Sequence, residues 1–96
     1  MTILVYEYDY VVPATGEPLE PPQKRTAGIA LDAAFSLRAA TRAVRITTTA
    51  DCYVRLSVDG AAATSADTPL ATGDVLQAPL ASLHSGGAVQ VYATAG

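Results

Sequence analysis

The chain has 96 residues, a net charge of −3, a single cysteine (Cys52) and a single histidine (His84). One small domain follows from that length, and such a chain buries only roughly 60–70% of the surface its unfolded form exposes. An internal disulfide is excluded, a His/Cys metal cage within one chain is excluded, and the acidic balance argues against a nucleic-acid surface.

Oligomerisation, or attachment to something larger, is therefore the support expected for so small a core. No stretch approaches the ~20 apolar residues of a membrane span. Glu7 and Asp9 interrupt what a signal peptide would keep apolar. The expectation is a soluble protein made in a reducing cytoplasm, consistent with one unpaired thiol. The charges are segregated. Residues 1–23 carry Glu7, Asp9, Glu17 and Glu20 without a base, whereas Lys24, Arg25, Arg38, Arg42, Arg45 and Arg55 all fall within residues 24–55. An acidic lead and a basic middle can pair within one chain or across a subunit boundary, or simply form a solvated surface of mixed sign.

In chain order, Thr2–Val12 (TILVYEYDYVV) predicts a strand. Leu4, Tyr6, Tyr8 and Tyr10 share one parity, and Ile3, Val5, Glu7, Asp9 and Val11 the other, so both faces begin apolar. The row of tyrosines offers rigid amphipathic area of the kind enriched at interfaces, or else caps the edge of the core. Pro13–Arg25 contains Pro13, Pro18, Pro21 and Pro22, which precludes a helix or a central strand and reads as an extended, semi-rigid arm. Thr26–Ala40 reads as strands over 28–31 and 35–39, with a helix capped by Asp32 as the competing reading.

The most regular stretch is Arg42–Asp59. Val44, Ile46 and Thr48 alternate with Arg45, Thr47 and Thr49. Beyond Ala50-Asp51, Cys52, Val54, Leu56 and Val58 alternate with Tyr53, Arg55 and Ser57. Two half-buried strands joined by a short break predict a β-hairpin, with Asp51 tolerating the turn. Asp59-Gly60 is a turn signal. Residues 61–73 are too long for a structureless loop and should hide a short strand or form a contact surface. Asp74–Leu80 and Ala88–Thr94 are the last two strands, with Val89, Val91 and Ala93 inward and a loop over 81–87 between them. The fold class expected is all-β: a small antiparallel β-sandwich or jelly-roll-like domain over residues 27–96, preceded by an extended N-terminal strand and proline-rich arm over 1–26.

Chemistry is sparse. A Ser-His-Asp set drawn from Ser82 or Ser85, His84 and Asp74 has no spacing that places nucleophile, base and oxyanion donors together. Cys52 shares the inward parity of Val54 and reads as an inert buried thiol. Glu7 and Asp9 lie on one strand face like a glycosidase pair, but so small a chain is not expected to hold a sugar cleft. Gly86-Gly87 lacks a phosphate-binding context, and Asp67 alone is no calcium site. Tyr53 and Tyr92, on the outward parity, leave sugar stacking open. The expectation is no enzyme, no cofactor and no metal.

The runs TRAVRITTTADCYVRLSVDG, ATSADTPLATGD and AVQVYATAG, between Thr41 and Gly96, resemble small structural proteins of tailed bacteriophages. The tyrosine-rich lead and the proline-rich segment have no counterpart in that likeness. The resemblance implies a virion protein on the capsid surface, a decoration or cement protein, with the major capsid protein and copies of itself as partners, often as a homotrimer. No nucleic acid and no membrane enter it. Under this reading Tyr6, Tyr8 and Tyr10 make contacts, Glu7 or Asp9 meets Arg45 or Arg55, and Tyr53 completes the outward face. A tail-associated adaptor or fibre-base domain, or a carbohydrate-binding module, are the other expectations.

Overall fold

The computed structural model of the chain describes residues 2–80 and 89–96. Its strands are β1 (Ile3–Tyr8), β2 (Lys24–Ala27), β3 (Phe35–Ser36), β4 (Ala43–Thr48), β5 (Cys52–Ser57), β6 (Thr68–Leu70), β7 (Val75–Pro79) and β8 (Gln90–Ala95). They form two four-stranded antiparallel sheets, ordered β2-β1-β4-β7 and β3-β8-β5-β6. The all-β class is as expected, and two antiparallel sheets around one core are compatible with a small β-sandwich. Among the described residues there is no helix.

Period-two alternation builds the core. Ile3 and Val5 on β1 and Val44 and Ile46 on β4 face inward from the first sheet. Cys52 and Val54 on β5, Leu70 on β6, and Val91 and Ala93 on β8 face inward from the second. Leu37, Leu80 and Val89, just outside the strands, close the same cluster. Burying one such aliphatic side chain stabilises the fold by roughly 1.5–3 kcal/mol, so the core is the sum of a dozen modest contributions.

The expected β4–β5 hairpin is overturned. β4 is flanked by β1 and β7, and β5 by β8 and β6, so the two strands lie in opposite sheets. Residues 49–51 form a corner. Thr48 Oγ1 donates to Ala50 O at 2.7 Å, and Asp51 Oδ1 accepts from Thr72 N at 3.0 Å and from Thr72 Oγ1 at 3.3 Å. The parity argument holds under either geometry, because a corner that keeps both inner faces apolar has the same period as a hairpin. Val58 departs from the expected core: it follows the end of β5 and is 37% exposed.

The middle of the chain also differs. β2 is Lys24–Ala27, inside what reads as arm, while residues 28–31 form no strand and the strand expected over 35–39 shrinks to Phe35–Ser36. Asp32 takes a positive φ of 57° in a turn instead of capping a helix. Its amide donates to Ala93 O at 2.8 Å, which ties the turn to β8. Residues 61–73 do contain a short strand, β6. The expected loop over 81–87, with Ser82, His84, Ser85 and the Gly86-Gly87 pair, lies outside the described residues.

Ile46 is fully buried and Val75 is 57% exposed on the outer face of the same sheet. Ile46→Ala should therefore cost roughly 2–5 kcal/mol in urea unfolding, and Val75→Ala less than about 0.5 kcal/mol. Equal losses would contradict this placement of the two strand faces.

Candidate interaction surface

Glu7 has the inward parity of Ile3 and Val5, and it is fully buried. Its Oε1 accepts from the Arg38 amide and from Thr41 Oγ1, both at 2.8 Å, and Arg38 Nε stands 3.6 Å away. Among the described residues Oε2 has no hydrogen-bond partner. Asp9 receives both terminal nitrogens of Arg38, at 2.5 and 3.4 Å. The acidic end of β1 thus fastens the 38–41 connection to the first sheet. Glu7 was expected to meet Arg45 or Arg55 at an interface; it meets Arg38 inside its own chain.

On the outer face of the first sheet, register places Arg25, Tyr6, Arg45 and Gln77 in one row across all four strands. The Arg25 guanidinium lies 5.7 Å from the Tyr6 ring centroid and that of Arg45 lies 5.4 Å from the Tyr8 ring. Arg45 Nε donates to Gln77 Oε1 at 2.8 Å, and its Nη1 pairs with Glu20 Oε1. Tyr8 OH donates to the same Glu20 oxygen at 3.0 Å. Tyr8 is consequently only 2% exposed, in the tyrosine row that the sequence offers as a contact surface.

What covers Tyr8 is the proline-rich segment, which turns back on its own sheet. Val12 N donates to Glu17 O and Leu19 N to Tyr10 O, at 2.8 and 2.9 Å, with a bridge between Val11 and Pro18. Residues 10–19 are therefore a short two-stranded ribbon. Gly16 makes its tight end possible: its φ is 73°, and a Cβ there would lie 3.1 Å from Pro79 Cβ. Alternation puts Pro18, which is buried, on one face of the ribbon, and Tyr10 and Leu19, 64% and 46% exposed, side by side on the other. The sequence signal for this ribbon was Thr15-Gly16 between Val12 and Glu17; the four prolines masked it.

The second sheet carries the remaining expected residues. Tyr53 and Tyr92 lie on its outer face, diagonal to one another, both half-buried. Arg55 is opposite Tyr92 and pairs with Asp67 at 3.5 Å and Asp59 at 3.9 Å, again within the chain. β6 covers only Cys52–Val54 of β5, and beyond it a cleft of about 350 Å³ opens between the sheets. Val54, Leu56, Leu76 and Ala78 supply its apolar walls, and Arg55 and Asp67 its polar side. Of the expected contact residues, then, the structure leaves Tyr10 well exposed, Tyr6 and Tyr53 half-exposed, and engages Glu7, Tyr8, Asp9, Arg45 and Arg55 internally.

Burial raises the pKa of the Cys52 thiol, and burial together with the bond to Glu20 raises that of the Tyr8 phenol. Both groups are held neutral by the fold. Their contribution is therefore complete below the ordinary values of 9.0 and 10.0 and is lost as pH rises beyond them, because the unfolded chain ionises first. Urea midpoints measured from pH 7 upward should fall in the alkaline range, and Tyr8→Phe with Cys52→Ala should flatten that fall. An unchanged alkaline slope in the double variant would count against it. Separately, Glu7→Ala should cost roughly 1–3 kcal/mol by leaving the Arg38 amide without its acceptor, and Glu7→Gln distinctly less. No family model, no curated protein and no solved structure matches this chain.

Proposed function

We propose that the chain is a non-catalytic structural subunit of a virion of the tailed-bacteriophage type: a capsid decoration, or cement, protein that attaches to the assembled head through protein–protein contacts. The likeness of residues 41–96 to such proteins supports this reading, and the jelly-roll-like form of the sandwich belongs to it. The partners it names are the major capsid protein and further copies of the chain.

The observation that carries the reading is the 10–19 ribbon. Tyr10 and Leu19 stand exposed and adjacent on a support tied down by its own backbone bonds and by the Glu20–Arg45–Tyr8 contacts. An aromatic and an aliphatic side chain presented rigidly lose little conformational entropy on contact, which is what an anchor at an interface needs. The titratable side chains nearby are engaged in holding the chain together. A contact surface therefore fits better than a reaction centre.

Retention on purified capsids is the test. Tyr10→Ala together with Leu19→Ala should lower retention tenfold or more, about 1.4 kcal/mol or above, with the melting temperature little changed. Undiminished retention would overturn the assignment of the ribbon. Removing residues 1–22 is no substitute, because it deletes β1, an inner strand of the first sheet.

A further inference from the structure

Among the described residues the two sheets leave four edges without a neighbouring strand, and β7 is unlike the other three. β2 carries Lys24 and Arg25, β3 has two residues, and β6 has three with Pro69 in the middle. These are the devices that keep edges from pairing: charge, shortness and proline. β7 has five residues, Val75–Pro79, and none is charged. Its free side can be read from the ladder. Leu80 N donates to Arg42 O at 2.8 Å, and the register continues through Val44↔Ala78 and Ile46↔Leu76. Hydrogen-bonded pairs alternate along an antiparallel ladder, so Leu76, Ala78 and Leu80 turn their backbone groups to β4. Val75, Gln77 and Pro79 turn theirs outward. Pro79, with no N–H, stands where an edge strand accommodates proline.

We infer that β7 pairs with β7 of a second copy, antiparallel about a twofold axis at Gln77, to give one continuous eight-stranded sheet. In that register each Gln77 N–H meets the other copy's Gln77 carbonyl, and each Val75 N–H meets the other copy's Pro79 carbonyl. The N–H that proline lacks is the only donor missing. On the outer face the exposed Val75 side chain comes to lie beside the second copy's Pro79. On the inner face Leu76 and Ala78, both half-buried walls of the inter-sheet cleft, face each other across the axis.

Charge selects the same occupant. Asp74, just before β7, comes opposite the second copy's Leu80, one strand away from that copy's Arg42. Two strand spacings separate the Cα atoms by roughly 10 Å, within reach of an Arg–Asp pair. Asp74 and Arg42 are both exposed, and among the described residues neither belongs to an ion pair. The axis forms this pair twice. At β2 the same operation would set Lys24 and Arg25 against their own copies. This pairing is independent of the attachment proposed for the ribbon.

Sedimentation velocity of the full chain at rising concentration should show a reversible dimer. Gln77→Pro, at a position whose N–H faces outward, should leave a folded monomer. Asp74→Arg should weaken the dimer roughly tenfold, and adding Arg42→Asp should restore it. Gln77→Cys supplies a variant that needs no proline: hydrogen-bonded pairs sit about 5.5 Å apart at Cα, inside the disulfide range. Mild oxidation should cross-link it as a dimer while the wild-type chain, with Cys52 buried, stays uncross-linked. A wild-type chain monomeric at all concentrations, or a Gln77→Cys chain that fails to cross-link, would overturn the pairing. A Gln77→Pro chain that has lost the dimer but keeps its capsid retention is the expected result, and it leaves the attachment reading standing.

Discussion

Hydrogen-bond saturation of the two central strands is the constraint on which the rest of this structure depends. β4 has neighbours on both sides, β1 and β7, and β5 has β8 and β6. Neither has a side left for the other, so the three residues between them must carry the chain from one sheet to the other. The inner faces of β4 and β5 are thereby set opposite each other, with Val44 and Ile46 across the core from Cys52 and Val54. Most other links cross as well; only β1–β2 and β5–β6 remain within one sheet. Few of the contacts that hold the core are local in sequence, and the corner at residues 49–51 is anchored by the distant Thr72.

The charges follow from that topology. β1 brings the acidic lead of the chain between β2 and β4, so the carboxylates of Glu7, Asp9 and Glu20 fall beside the basic middle. Arg38 serves the first two and Arg45 the third. A buried carboxylate is costly unless it is bonded, and Glu7 is bonded by an amide and a hydroxyl, with the Arg38 guanidinium 3.6 Å away. These contacts hold connections in place: residues 38–41 at one end of the core and the 10–20 segment over the outer face. Glu7 and Asp9, which look like a catalytic pair in the sequence, are occupied by the fold.

What the molecule offers to a partner is left by subtraction. The folded-back ribbon displays Tyr10 and Leu19 instead of extending away from the domain. β7 presents a backbone edge with no charge along it. One is a side-chain surface and the other a main-chain surface, at different places on the first sheet. Each can be altered without touching the core.

Much of this was legible in the sequence. Alternation along residues 3–8, 43–48, 52–57 and 90–95 determined four strands and which face of each is apolar, because side-chain direction in a strand depends only on local period. The segregation of charge was also legible. Its use was not: pairing Glu7 with Arg38 rather than Arg45 requires knowing that the connection after β3 returns past β1. The proline content of residues 13–25 hid both the ribbon and β2, since proline restricts its own φ and removes one donor without forbidding its neighbours to pair. Local chemistry thus determined the strands, their faces and the absence of an internal disulfide. Only the tertiary structure decided that β4 and β5 face each other across the core and do not pair, that Tyr8 is covered, and that among the described residues no strand lies along the outer side of β7. The reason is that a period of two fixes the direction of a side chain but says nothing about which strand lies alongside.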